Sequence, residues 1–227
     1  HGEIMGFKCG IVGLPNVGKS TIFNAITNAG AESANYPFCT IEPNVGMVNV
    51  PDYRLDKLVE AYHPRSIIPA VTQFVDIAGL VKGASQGEGL GNQFLTHIRE
   101  CEAIMEVVRC FEDENIVHVH GSVDPLRDVE IIETELLLKD LDSVEKRLVT
   151  ETKNARTGGA SAKARLEACE NLKNAMSEGT PARKMLGTSD EMDSLISDLA
   201  LLTAKPVFYC ANVGEDEMLS GNAYVDK

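Results

Sequence analysis

Apolar positions along the chain follow two rhythms. Short runs rich in β-branched residues lie at 7–12, 45–50, 71–75, 104–111 and 206–211, and a helical pattern opens at 22–26. A bounded run of this length reads as a buried strand, and a spacing of three and four reads as one face of a helix. Strands separated by helical stretches need crossover connections, so they imply a mainly parallel sheet covered on both faces. The fold class is α/β.

One stretch breaks the alternation. Between 128 and 151, Leu137, Leu141, Val144 and Leu148 follow at spacings of four, three and four, a narrow heptad-like seam. After a break at 154–161 that contains Gly158 and Gly159, a second helix presents Leu166, Cys169, Leu172 and Met176. The pair predicts an antiparallel helical hairpin inserted between two sheet strands. Thr188 and Glu191 form a capping-box pattern for a further helix through Leu202, which leads back to the strand at Pro206.

Composition narrows the function classes. With 44% hydrophobic and 24% charged residues among 227, the chain has material for a core of its own. Thirty-four acids against 21 bases give a net charge of −13, which argues against a broad grip on nucleic acid and against sequence-specific DNA as a partner. Twelve acids and four bases fall within 112–151, around the first arm of the hairpin. That face reads as solvated, with a partner-docking surface as the alternative. No segment approaches the ~20 apolar residues of a membrane span. His1 to Ile4 ahead of Met5 read as a tag remnant, and no basic-then-apolar leader follows. The six cysteines lack C-x-x-C or zinc-ligand spacing, so reduced thiols in a cytoplasmic protein are expected.

The chemistry concentrates near the first strand. Gly13-Leu14-Pro15-Asn16-Val17-Gly18-Lys19-Ser20 satisfies G-x-x-x-x-G-K-[ST] straight after a strand and straight before a helix. Backbone N–H groups of such a loop, with the positive end of the helix that Thr21 continues, wrap phosphates. Asn16, Val17, Gly18, Lys19, Ser20 and Thr21 are therefore the expected phosphate-binding set. Lys19 would reach the β- and γ-phosphates, and the Ser20 hydroxyl would hold Mg²⁺. Asp76, closing the run at 71–75, supplies the second metal-site oxygen, and Thr40, between two prolines in the loop before it, is the candidate second hydroxyl ligand. Asp76-Ile77-Ala78-Gly79 fits D-x-x-G, whose glycine amide can sense the γ-phosphate, so Gly79 is a candidate catalytic position. Gly79, Gly83, Gly87, Gly89 and Gly91 are too dense for a regular element and read as a switch segment.

These residues carry a family resemblance. The Gly13–Ser20 loop, Tyr36-Pro37-Phe38-Cys39-Thr40 and the Asp76–Ala84 segment resemble the Obg-like translation-factor GTPases, in particular the YchF subgroup of Obg-like ATPases. The likeness runs from about Met5 to the end and includes 111–119 and the hairpin. It implies a Ras-like P-loop NTPase domain at 5–127 and 204–227, a coiled-coil insertion at 128–203, ribosome association, and a C-terminal TGS domain that this sequence does not contain. The expected natural protein continues past Lys227 with a further strand, a helix and that domain.

Two departures from ordinary GTPases shape the expected reaction. The guanine-reading N-K-x-D motif is replaced by Asn212-Val213-Gly214-Glu215, which lacks the lysine and moves the carboxylate by one methylene. Resemblance to the YchF subgroup implies that Asn212 and the backbone at Val213 read adenine instead, with Glu215 displaced from the guanine edge. ATP is thus the expected ligand, with GTP the alternative. Leu80 stands where many GTPases carry a water-orienting glutamine, and a leucine can neither donate nor accept. Asn16 resembles the residue that holds K⁺ against the phosphates in potassium-dependent members of the wider class. His118 is the candidate for polarising water, since its ordinary pKa lies near neutrality. The expected activity is Mg²⁺-dependent hydrolysis of ATP, and the competing reading is a nucleotide-gated ribosome-binding module with incidental turnover.

Overall fold

The computed structural model describes residues 7–29, 44–77 and 90–227. Five strands form one sheet in the order β2-β3-β1-β4-β5, comprising β1 (Phe7–Val12), β2 (Val45–Asn49), β3 (Val71–Asp76), β4 (Ala103–Arg109) and β5 (Val207–Asn212). β1 pairs in parallel with β3 and β4, and β4 with β5; β2 alone runs antiparallel, on β3. The expected mainly parallel α/β sheet is therefore present. Of its strands, β4 is buried along its whole length, as a central parallel strand requires.

Helices α1 (Lys19–Ala29), α2 (Tyr53–Tyr62) and α3 (Leu90–Arg99) connect the strands. α2 lies in a stretch that the apolar runs do not mark, because none of its side chains is buried. α3 begins at Leu90, so Gly91 is helical and not part of the glycine-rich loop, a correction to the expected extent of that segment. Residues 78–89, like 30–43, lie outside the described residues, and with them the expected sites at Gly79 and Thr40.

The hairpin is α4 (Pro125–Thr157) and α5 (Ala160–Ser177). Asp124 caps α4 by accepting from Arg127 N, and Pro125 stands at its first position, where a missing N–H costs nothing. α4 outlasts the expected break, which shrinks to Gly158 and Gly159. The helix α6 (Asp190–Leu199) is capped by Ser189, whose hydroxyl accepts from Met192 N, and not by Thr188. It stops before Leu202 because Ala200 turns left-handed (φ 46°).

Two apolar cores follow. Ile11, Val12, Val75, Ile98, Ile104 and Val107 pack under the sheet together with Ile132 and Leu136, so the first turns of α4 cover the sheet. Val144, Cys169, Leu172, Met176, Leu195 and Ile196 form the second core between α4, α5 and α6. Each such side chain stabilises by roughly 1.5–3 kcal/mol. Asp140, fully buried where the cores meet, accepts from Leu202 N (2.8 Å), Thr203 N (2.7 Å) and Thr203 Oγ1 (2.7 Å). The acid-rich arm is consequently not just a solvated face. Asp128, Glu135, Asp140 and Glu151 are all buried. Burial pushes the Glu151 carboxyl up, but Arg147 (2.6 Å) and Arg165 (3.0 Å) outweigh it and hold it below the usual range.

Candidate nucleotide site

The loop from β1 to α1 passes directly beneath β4. A Cβ on Gly13 would sit 2.8 Å from the Val107 carbonyl oxygen, and Gly18 adopts φ 91° with Asn212 Nδ2 2.3 Å from where its Cβ would be. Glycine is required at both positions for the close approach, and at Gly18 also for the left-handed backbone. Asn16 takes φ 64°, a conformation that asparagine tolerates better than most residues. Val17 is buried, while Ser20 and Thr21, on the first turn of α1, are exposed.

Parallel pairing of β1 with β3 places Ile11 opposite Asp76, which brings the carboxylate to the start of α1. Lys19 Nζ forms an ion pair with Asp76 Oδ1, their side chains only 11% and 14% exposed, and Ser20 Oγ donates to Asp76 Oδ2 at 3.4 Å. Ammonium, hydroxyl and carboxylate, widely separated in sequence, meet at one point. A hydroxyl beside a carboxylate is a hard-oxygen donor pair that suits Mg²⁺ completed by phosphate oxygens and water. No cluster of three or more His, Cys, Asp or Glu ligands occurs among the described residues.

At the other end of the loop, Asn212 Nδ2 donates one of its two N–H groups to the Val17 carbonyl at 2.9 Å, which leaves the second N–H and Oδ1 for a base. Val213 is half-buried and Glu215 is exposed at the start of a short turn. The carboxylate beside the Gly214 amide belongs instead to Glu217, which accepts from Gly214 N at 3.2 Å and from Asn222 Nδ2 at 2.7 Å. Sequence reading missed Glu217 because it stands outside the four-residue motif.

His118 is placed differently from the expectation of a water-facing imidazole. It is buried, its Nε2 lies 2.8 Å from Asp128 Oδ2, and its Nδ1 accepts from His120 N at 3.1 Å. Since Nδ1 is an acceptor, Nε2 carries the proton and donates to Asp128. Both nitrogens face protein partners and neither faces the phosphate loop. The adjoining residue does: the Val117 carbonyl accepts from Asn16 Nδ2 at 3.1 Å. Asp128 went unnoticed in sequence because it looks like an ordinary acid in the first turn of α4.

Cys9, Cys101 and Cys110 are shielded from water. Burial pushes the Cys9 thiol up to about 11, and Cys101 and Cys110 are raised for the same reason. All five cysteines in the described residues are free.

Residues 8–149 match the family described as 50S ribosome-binding GTPase. The chain belongs to that family. Among its relatives, the ribosome-binding ATPase YchF of Bacillus subtilis (strain 168) is 55% identical over 225 residues, 98% of this chain. That of Escherichia coli O157:H7 is 56% identical over 223 residues, again 98% of this chain. The chain spans 61% of the length of each of these two curated relatives. The solved structure of the Schizosaccharomyces pombe YchF GTPase matches with a TM-score of 0.82 at 45% identity, over 97% of this chain and 60% of that one. The resemblance to the YchF group and the expected P-loop fold are both borne out. The loop at Gly13–Ser20 lies within the residues that this family matches, and no helix of the described residues is long and apolar enough to cross a membrane.

Proposed function

We propose that the chain binds ATP with Mg²⁺, hydrolyses its β–γ phosphoanhydride, and uses the nucleotide cycle to govern association with the ribosome. The observation that carries this reading is the convergence of Lys19 and Ser20 on Asp76 at the start of α1. Lys19 moves from Asp76 onto the β- and γ-phosphates, while the loop amides from Asn16 to Ser20 and the positive end of α1 hold the remaining oxygens. Ser20, Asp76 and Thr40 are the residues that would hold Mg²⁺, which would supply positive charge to neutralise the triphosphate. Water attacks the γ-phosphorus, a P–O bond to it forms, and the bond to the bridging oxygen breaks, releasing ADP and phosphate. The Gly79 amide would report the loss of the γ-phosphate, and the Asn16 side-chain oxygen would be the donor offered to K⁺.

Adenine preference rests on the lost N-K-x-D lysine, on the Asn212 side chain and on the backbone beside Val213. The names of the relatives divide between ATPase and GTPase, which makes the base the sharpest point of test. Calorimetric affinities for ATP and GTP, each with Mg²⁺ and with K⁺ or Na⁺, should show tighter ATP binding that requires Mg²⁺. Equal affinities would remove the adenine reading. Ribosome pelleting with ATP, ADP or no nucleotide tests the partner, and binding that ignores the nucleotide would exclude gating. His118 serves hydrolysis only by exchanging Asp128 or the His120 amide for water. His118→Ala should therefore lower turnover by about 10²–10⁴-fold, and unchanged turnover would leave it as a latch on α4.

A further inference from the structure

Arg109 is the last residue of β4 and is only 2% exposed. Its partners are all main-chain carbonyls of the loop that follows. Nε donates to Phe111 O at 3.0 Å, Nη1 to Ile116 O at 2.9 Å and Nη2 to Asp113 O at 3.3 Å, while the guanidinium carbon lies 4.6 Å from the centre of the Phe111 ring. No ion pair to Arg109 occurs among the described residues. A buried guanidinium is costly unless its donors are met, and a planar fork is suited to three acceptors in fixed positions where a lysine's point charge is not.

The consequence appears one residue beyond the clamp. Val117, next to Ile116, presents its carbonyl to Asn16 Nδ2 at 3.1 Å. The far end of the loop is fastened at His118 by Asp128. Between these anchors, the 116–117 peptide turns the Ile116 carbonyl to Arg109 and the Val117 carbonyl to the phosphate loop, at the point where Asn16 is held at φ 64°. In register, Arg109 pairs with Asn212, which bonds the neighbouring Val17, so the ends of β4 and β5 support adjacent residues of one loop.

We infer that Arg109 is a positioning residue of the nucleotide site, shaping 111–117 so that the Val117 carbonyl sets the Asn16 corner of the phosphate loop. This rests on the nucleotide reading proposed above, and it adds a residue that never touches the ligand. Its effect travels through Asn16, so the two residues must act as a unit.

Arg109→Lys keeps the charge and the stem but offers one nitrogen in place of the fork. Asn16→Gly removes the amide while tolerating positive φ. Each single variant should weaken ATP binding by about tenfold, and the double variant should be no weaker than either, since coupled residues give non-additive effects. Independent, additive losses, or an Arg109→Lys protein with wild-type affinity and turnover, would overturn the inference. Should Arg109→Lys fail to fold, hydrogen exchange in Asn16→Gly gives a second test that leaves Arg109 intact. Amides at 111–118 should exchange faster there than in the wild type while those of α5 stay unchanged, and no change at 111–118 would overturn the coupling. A wild-type protein that binds no triphosphate would be a separate failure, of the nucleotide reading itself, and would take the inference with it.

Discussion

Asn212 Nδ2 donates to the Val17 carbonyl across 2.9 Å, joining residues 195 apart in the chain. The end of β5, proposed to read the base, and the loop proposed to hold the phosphates are thereby tied to each other. A nucleotide bound there meets a site whose two halves are already in register, which lowers the ordering cost of binding. The same bond fixes the amide plane and leaves the second N–H and Oδ1 as the groups through which Asn212 can meet a base.

Lys19→Ala should abolish tight triphosphate binding while the fold is retained. The lost ammonium is a charged partner in a mostly shielded site, where such a deletion costs about 2–5 kcal/mol, and each 1.4 kcal/mol is tenfold in affinity. Calorimetry with ATP and Mg²⁺ checks the loss, and a circular dichroism melt checks the fold. Unchanged affinity would mean that the loop does not bind phosphate.

Replacing Val213 by Lys and Glu215 by Asp together should shift preference toward GTP. The pair restores an aspartate at the distance that meets the guanine edge and a lysine stem beneath the ring, and a bidentate contact to a base edge is worth ~1–3 kcal/mol. The ratio of ATP to GTP affinities is the readout. A constant ratio would show that the base is read elsewhere.

Asp140→Ala should destabilise the fold by about 3–5 kcal/mol, because Leu202 N and Thr203 N lose a buried charged acceptor. Urea unfolding measures it. A loss below about 1 kcal/mol would show that the junction between the hairpin and the return segment is not held by this carboxylate.

Glu106 on β4 is 4% exposed, and burial first, then Glu133 and Asp128 on α4, push its carboxyl from the ordinary 4.5 up to about 8, with Arg183 pulling the other way. Tyr209 on β5 faces the same small cavity. The folded state therefore holds this proton more tightly than the unfolded chain does. Its contribution is complete below pH 4.5 and falls as pH rises toward 8, by at most ~1.4 kcal/mol per pH unit. Glu106→Gln should flatten that slope in unfolding experiments between pH 5 and 8. An unaltered slope would place the titration elsewhere.

Contiguous chemistry was legible in the sequence. Eight consecutive residues spell out the proposed phosphate loop because such a loop works through backbone amides and one adjacent lysine, and the strand run ending at Asp76 marks where the proposed metal carboxylate emerges. The helical seam of Leu137, Leu141, Val144 and Leu148 was legible for a similar reason, since helix periodicity is a local property that burial then uses.

Tertiary structure alone decided which charged residues are internal. Arg109 could be suspected as a charge inside an apolar run, but its acceptors at 111, 113 and 116 depend on how the loop folds back. Asp128 and Asp140 look like solvent-facing acids of a long helix until His118 and the 202–203 amides arrive from elsewhere. Thr188 and Ser189 compete for one cap, and the choice follows from how α6 seats Met192, Leu195 and Ile196 in the hairpin core. Periodicity reports the side chains that avoid water; the partner that allows a charge to leave water is set by distant segments, and only the folded chain brings it there.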